Sequence, residues 1–146
     1  MSIQDTNRKL IRRWVEKYLS TGDVNIAREI CANDYRLFFP GVEKPMDLED
    51  ATKFMANMRV GFPDLNFHID NIYCDGDTVV ARINMQGKHK GEFQGIAPTE
   101  KNFKSGILVE FLCRDDKIVE DRPYFDRLGM LEQLGVKLPV KEPAFV

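Results

Sequence analysis

Near its end the chain reads KIVEDRPYFDRLGMLEQLG, residues 117–135. In an extended strand successive side chains point to opposite faces. Ile118, Glu120, Arg122, Tyr124 and Asp126 therefore share one side, and Val119, Asp121, Pro123 and Phe125 the other. Three charged groups and a tyrosine along one side of a strand mean either a solvated face or the wall of a pocket. In a pocket they could move protons. A carboxyl enclosed by apolar groups has its charged form disfavoured, so its pKa rises toward neutral, where it serves as both acid and base. The face of Glu120, Arg122, Tyr124 and Asp126 is expected to look into the mouth of such a pocket.

A pocket needs elements to enclose it, and the pattern upstream supplies them. Ser2 with Asp5 makes a capping box, and Leu10, Ile11, Trp14, Val15, Tyr18 and Leu19 follow helical spacing until Gly22. A short helix is expected over 24–33, then a brief extended piece in DYRLFFPG. Asp47 caps a third helix whose Leu48, Ala51, Phe54, Met55 and Met58 form one apolar stripe, stopped by Gly61 and Pro63. From Leu65 the period changes to two. LNFHIDNIYC is a strand with a phase slip near 70–72, and Asp75-Gly76 is a tight hairpin signal. In TVVARINMQGKH, Val79, Ala81, Ile83 and Met85 share one face, with Val80, Arg82, Asn84 and Gln86 on the other. GEFQGIAPTEKN reads as a loop, KSGILVEFLCR as a strand, and Asp115-Asp116 as the turn into the quoted segment. The tail LPVKEPAFV is expected to be extended or wrapped on the surface. Helices first and an antiparallel meander second predict one α+β domain over 1–146. N-terminal helices would pack on a strongly curved antiparallel sheet and leave a cone-shaped, mostly apolar cavity.

Composition narrows the classes. With 146 residues, 43% hydrophobic and 30% charged, the chain is the size of one globular domain. A net charge of −2 and an isoelectric point of about 5.7, with scattered lysines and arginines, argue against nucleic acid as a partner. No apolar run reaches the roughly 20 residues of a membrane span, and MSIQDTNRKLIRRW lacks the apolar core of a secretory signal. Cys31, Cys74 and Cys113 are far apart and odd in number, and read as reduced thiols of a cytoplasmic protein. His68 and His89 sit in no ligand-spaced motif, so no metal is expected.

Between Gly76 and Gly135 the residues resemble a known family. Gly76, Asp77, Val79 and Arg82 are followed by Gly87, His89, Gly91, Phe93, Gly95, Ile96, Pro98 and Thr99. Lys117, Ile118, Glu120, Asp126, Gln133, Leu134 and Gly135 then complete the set. This pattern resembles the SnoaL-like polyketide cyclases, of the NTF2-like superfold. The resemblance implies an intramolecular aldol ring closure on a polycarbonyl ester or acid, driven by one acid/base carboxylate without cofactor or metal. It places that carboxylate at Asp126, with Arg82, His89 or Tyr124 stabilising the oxyanion. The ligand would be a hydrophobic small molecule held by Trp14, Phe38, Phe54, Met58, Phe93, Glu120, Arg122 and Tyr124. A homodimer through the outer sheet face is implied by analogy, and Val79, Ile83 and Met85 belong to either that interface or the core.

Each of these residues also has a plainer role open to it. Asp126 precedes RLGMLEQLG and could cap the last helix. Glu120 could form a structural ion pair with Arg82 or Arg122, His89 could mark a solvated hairpin end, and His68 reads as a packed or surface histidine. Arg122 stands where many relatives have tryptophan. Paired with Asp126 it would lower that carboxyl's pKa and leave a binding protein without chemistry. A protein-interaction module using the outer sheet face is the third class.

Overall fold

Local capping sets the helices. In the computed structural model, which describes residues 2–137, the Ser2 side chain accepts the amide N–H of Asp5 and opens α1, Ile3–Arg13. The helix then widens into a π-helical segment, Trp14–Leu19, in which the amide of Ser20 reaches back to the carbonyl of Val15, 3.0 Å away. Asp23 caps α2, Val24–Ile30, which passes without a loop into β1, Cys31–Leu37. Asp47 caps α3, Leu48–Gly61, through the amide of Asp50 at 2.9 Å. The helix expected over 24–33 thus ends at Ile30, because Cys31 onward pairs with a strand. The tail from residue 138 lies outside the described residues.

The second half is a meander of β2, Asn66–Asp75, β3, Thr78–Lys88, β4, Asn102–Arg114, and β5, Lys117–Phe125, followed by α4, Arg127–Gln133. The sheet order is β1-β5-β4-β3-β2, a curved sheet that does not close on itself. Its four meander strands are antiparallel, whereas β1 joins the edge parallel to β5. The β2–β3 ladder shifts register between Ile69 and Asn71, where the sequence slips phase. Asp115 and Asp116 both have positive φ and make the tight turn into β5.

Alternation along the strands separates two surfaces. Val79, Ala81, Ile83 and Met85 of β3, with Phe103, Ile107, Val109 and Phe111 of β4, are buried against Ile11, Trp14, Val15 and Tyr18. Val79, Ile83 and Met85 are therefore core. Val80, Arg82 and Asn84 pair with Glu110, Leu108 and Gly106 on the opposite, outer surface. The whole is α+β, with the helices on the concave side.

Candidate active site

Between the helices and the concave sheet face lies a cavity with about 970 Å³ of space free of protein atoms, counted out through its mouth. Its wall is almost wholly apolar. The π-helical segment contributes Trp14 and Tyr18, whose rings sit 4.6 Å apart, and α3 contributes Phe54, Met55 and Met58. The sheet adds Ile83, Met85, Ile107, Val109 and Phe111, and α4 adds Met130. A π turn is a common local solution at functional sites, and here it keeps both aromatic rings on the cavity side.

The β5 residues facing this space are Asp121, Pro123 and Phe125. This corrects the expectation from the sequence, which assigned the other face. Glu120 and Arg122 form an ion pair with each other at 2.7 Å on the outer surface, and the Arg122 guanidinium stacks 3.7 Å over the ring of Phe38. Tyr124 is 60% exposed and Arg82 is exposed on the same surface. None of Phe38, Arg82, Glu120, Arg122 and Tyr124 lines the cavity. Asp126 does not line it either. Its carboxylate accepts the Gly129 amide at 2.8 Å and caps α4. Arg122 does not touch Asp126, so the pairing that would have silenced a carboxylate there is absent. Trp14, Phe54, Met58 and Phe93 do line the cavity, as the sequence suggested.

His89 is completely buried but serves the wall indirectly. Its Nδ1 accepts the backbone N–H of Thr99 at 3.2 Å and lies 3.0 Å from the Thr99 hydroxyl, while its ring packs on Phe62. These contacts close the base of the β3–β4 loop, which puts Phe93 and Gln94 on the cavity wall. At its tip Phe93 and Ile96 bridge across Gln94 and Gly95, both with positive φ, a tight turn that fixes which way Phe93 points. His68 is exposed on β2.

Asp121 is the residue the pattern overlooked. It is 7% exposed, and its Oδ2 accepts one hydrogen bond, 2.7 Å from the Tyr35 hydroxyl. Loss of water pushes its carboxyl from the ordinary 3.8 up to about 6, against the opposing pull of the Tyr35 hydrogen bond. Burial likewise raises Tyr18 and Tyr35, so both phenols stay protonated and can donate. A signal was present in the sequence. Asp121 is the one charge among Val119, Pro123 and Phe125, and a lone acid on an apolar face is more informative than a row of charges on a polar one.

Comparison with known proteins agrees with this architecture. Residues 9–134 match the SnoaL-like polyketide cyclase family. The chain is 29% identical to the aklanonic acid methyl ester cyclase DauD of Streptomyces sp. (strain C5), over 91% of this chain and 84% of that protein. It is likewise 29% identical to the aklanonic acid methyl ester cyclase DnrD of Streptomyces peucetius, over 94% and 96%. Among solved structures, IdmH of Streptomyces antibioticus superposes with a TM-score of 0.79 at 31% identity, covering 88% of this chain and 98% of that one. A SnoaL-like protein from Jannaschia sp. CCS1 gives 0.86 at 23%, over 94% and 97%, a likeness of fold.

Proposed function

The chain belongs to the SnoaL-like polyketide cyclase family, and on that footing we propose that it closes a ring by intramolecular aldol addition in a hydrophobic polycarbonyl compound, with Asp121 as acid and base. The observation that carries the reading is a single carboxylate, among the described residues, at the wall of an apolar cavity, held by one hydrogen bond and tuned to ionise near pH 6. The acid/base role thus moves from Asp126 to Asp121. The relatives named for a methyl ester of aklanonic acid support a polycarbonyl ester or acid as the substrate class.

At neutral pH Asp121 is mostly ionised and can take the proton from a carbon flanked by two carbonyls. The resulting enolate carbon adds to a distal ketone, forming the new C–C bond and leaving an alkoxide. Asp121 then returns its proton to that alkoxide, and the carboxylate is restored with no change of oxidation state. Negative charge grows on the enolate oxygen as the proton leaves carbon, and on the ketone oxygen as the C–C bond forms. The Tyr18 hydroxyl, whose residue lines the same wall and which burial keeps protonated, would donate to it. The Tyr35 hydroxyl keeps Asp121 oriented and limits how far its pKa climbs.

Deuterium incorporation from heavy water into a hydrophobic β-keto ester, measured by NMR, tests the proton transfer before any native substrate is known. Asp121→Asn should lower the catalysed exchange by roughly 100-fold or more. Asp126→Ala should leave it unchanged while costing about 1 kcal/mol of stability through the lost cap. Exchange that survives in Asp121→Asn would sink the assignment. With so few polar groups in so apolar a wall, binding without turnover is the second reading. It is favoured if ligands bind and wild-type protein exchanges no faster than background. We further propose that the outer sheet face joins two copies as a homodimer.

A further inference from the structure

The cavity wall holds one carboxylate and, among the described residues, one cation: Arg127, the first residue of α4. Its position is fixed by its neighbours, since Phe125 ends β5 on the wall and Asp126 caps the helix that follows. One guanidinium N–H donates to the carbonyl of Pro40 at 3.1 Å, and the guanidinium carbon stands 5.5 Å from the ring centroid of Phe39. No carboxylate of the described residues lies within ion-pair distance of it. Even its neighbour Asp126 is turned onto the Gly129 amide. The Pro40 contact uses one of the five N–H donors a guanidinium carries. None of the rest, on a half-buried planar fork at the edge of an apolar chamber, is taken by another described residue.

We infer that Arg127 is a specificity residue that binds a carboxylate, and that the cavity takes a flat aromatic acid with its acidic group at the mouth and its reacting end at Asp121. This rests on the cavity being a small-molecule site, as proposed above. Three features support it. A planar fork matches a carboxylate with two parallel hydrogen bonds, which a lysine cannot do. The surface beside Arg127 is aromatic: Phe39 packs tilted on Phe54 with centroids 4.7 Å apart and edge-on to Phe125 at 5.6 Å, so ring faces and edges are both offered to an aromatic ligand. Electrostatics then allows one orientation. An anionic group at the inner end would meet the Asp121 carboxylate and be repelled, so it is driven toward Arg127. Four strand steps lead from Asp121 to Phe125, roughly 13 Å, and a ligand reaching from Asp121 toward Arg127 spans about that length.

The test uses anthracene-2-carboxylate and its methyl ester as probes, with affinity read from quenching of Trp14, the single tryptophan, which lines the cavity. Wild-type protein should bind the acid roughly 10-fold or more tightly than the ester, the weight of a charge-assisted pair. Arg127→Gln should abolish that preference by weakening the acid about 10-fold more than the ester, and Arg127→Lys should restore part of it. Equal binding of acid and ester by the wild type overturns the inference while sparing the cavity. So does an Arg127→Gln loss that is the same for both probes, since that would be lost packing. If neither probe binds the wild type, the cavity reading falls and this inference with it.

Discussion

Asp121 carries a charge at neutral pH in a place that disfavours charge, and its linkage to folding follows from that. Its folded pKa of about 6 lies above the ordinary 3.8 because burial strips water from the carboxylate. Between those values the native state binds more protons than the unfolded chain. Stability contributed by this group is therefore full below about pH 4 and is lost as pH rises through about 6, a swing of roughly 3 kcal/mol at most. Asp121→Asn cannot ionise, and its amide oxygen can still accept from Tyr35. Thermal midpoints measured from pH 4 to pH 7 should show the variant gaining several degrees relative to wild type across that window. Parallel curves would mean that Asp121 is not held in its neutral form by burial, and its fitness as a base near neutral pH would go with it.

At the scale of elements, the β3–β4 loop determines whether the cavity has a complete wall. The amides of Lys90 and Gly91 both bond the carbonyl of Gly61 at the end of α3, at 2.9 and 3.1 Å. A Cβ on Gly91 would lie 2.9 Å from the carbonyl carbon of Val60, and its oxygen would be closer still. Backbone cannot swing aside as a side chain can, so Gly91→Ala must push the loop off α3 and take Phe93 and Gln94 with it. Loss of ligand binding larger than the loss of midpoint is expected. Gly106→Ala, on the open face of β4 with nothing within 4 Å, should leave both unchanged. Binding retained in Gly91→Ala would show that the loop does not complete the wall. Elements were the scale at which the sequence was most readable. Ser2 and Asp47 cap as their types suggest, and the slip at 70–72 is a real register shift. The face of β5 was not readable. Alternation separates Glu120, Arg122 and Tyr124 from Asp121, Pro123 and Phe125, but which set points inward is decided by pairing with β4, and a one-residue slip exchanges them. The row of charges drew attention because it looked chemical, when solvation was its simpler cause.

Across the whole molecule, the sheet is a single layer whose two faces have separate work. The concave face holds Asp121 and the cavity, while Glu120, Arg122 and Tyr124, which first suggested chemistry, lie on the convex one. There Arg82, Leu108 and Tyr124 form one row across three strands, and Val80, Glu110 and Arg122 form the next. Leu108 and Tyr124 are 48% and 60% exposed at the centre, and Tyr73 adds another exposed ring. Charges of both signs surround them, Arg82 and Arg122 beside Glu110 and Glu120. A surface with an apolar centre and both signs at its rim is self-complementary under a two-fold axis, where the glutamates of one copy can meet the arginines of the other. Sedimentation velocity across a wide concentration range should show wild-type protein as a dimer. Leu108→Lys places a cation at the centre of the apolar patch and should give a monomer. Because Leu108 points away from the cavity, that monomer should bind cavity ligands as well as the wild type does. A wild type that stays monomeric at every concentration removes the dimer altogether. If Leu108→Lys remains dimeric, the contact lies elsewhere, and the convex charges are a solvated surface and nothing more.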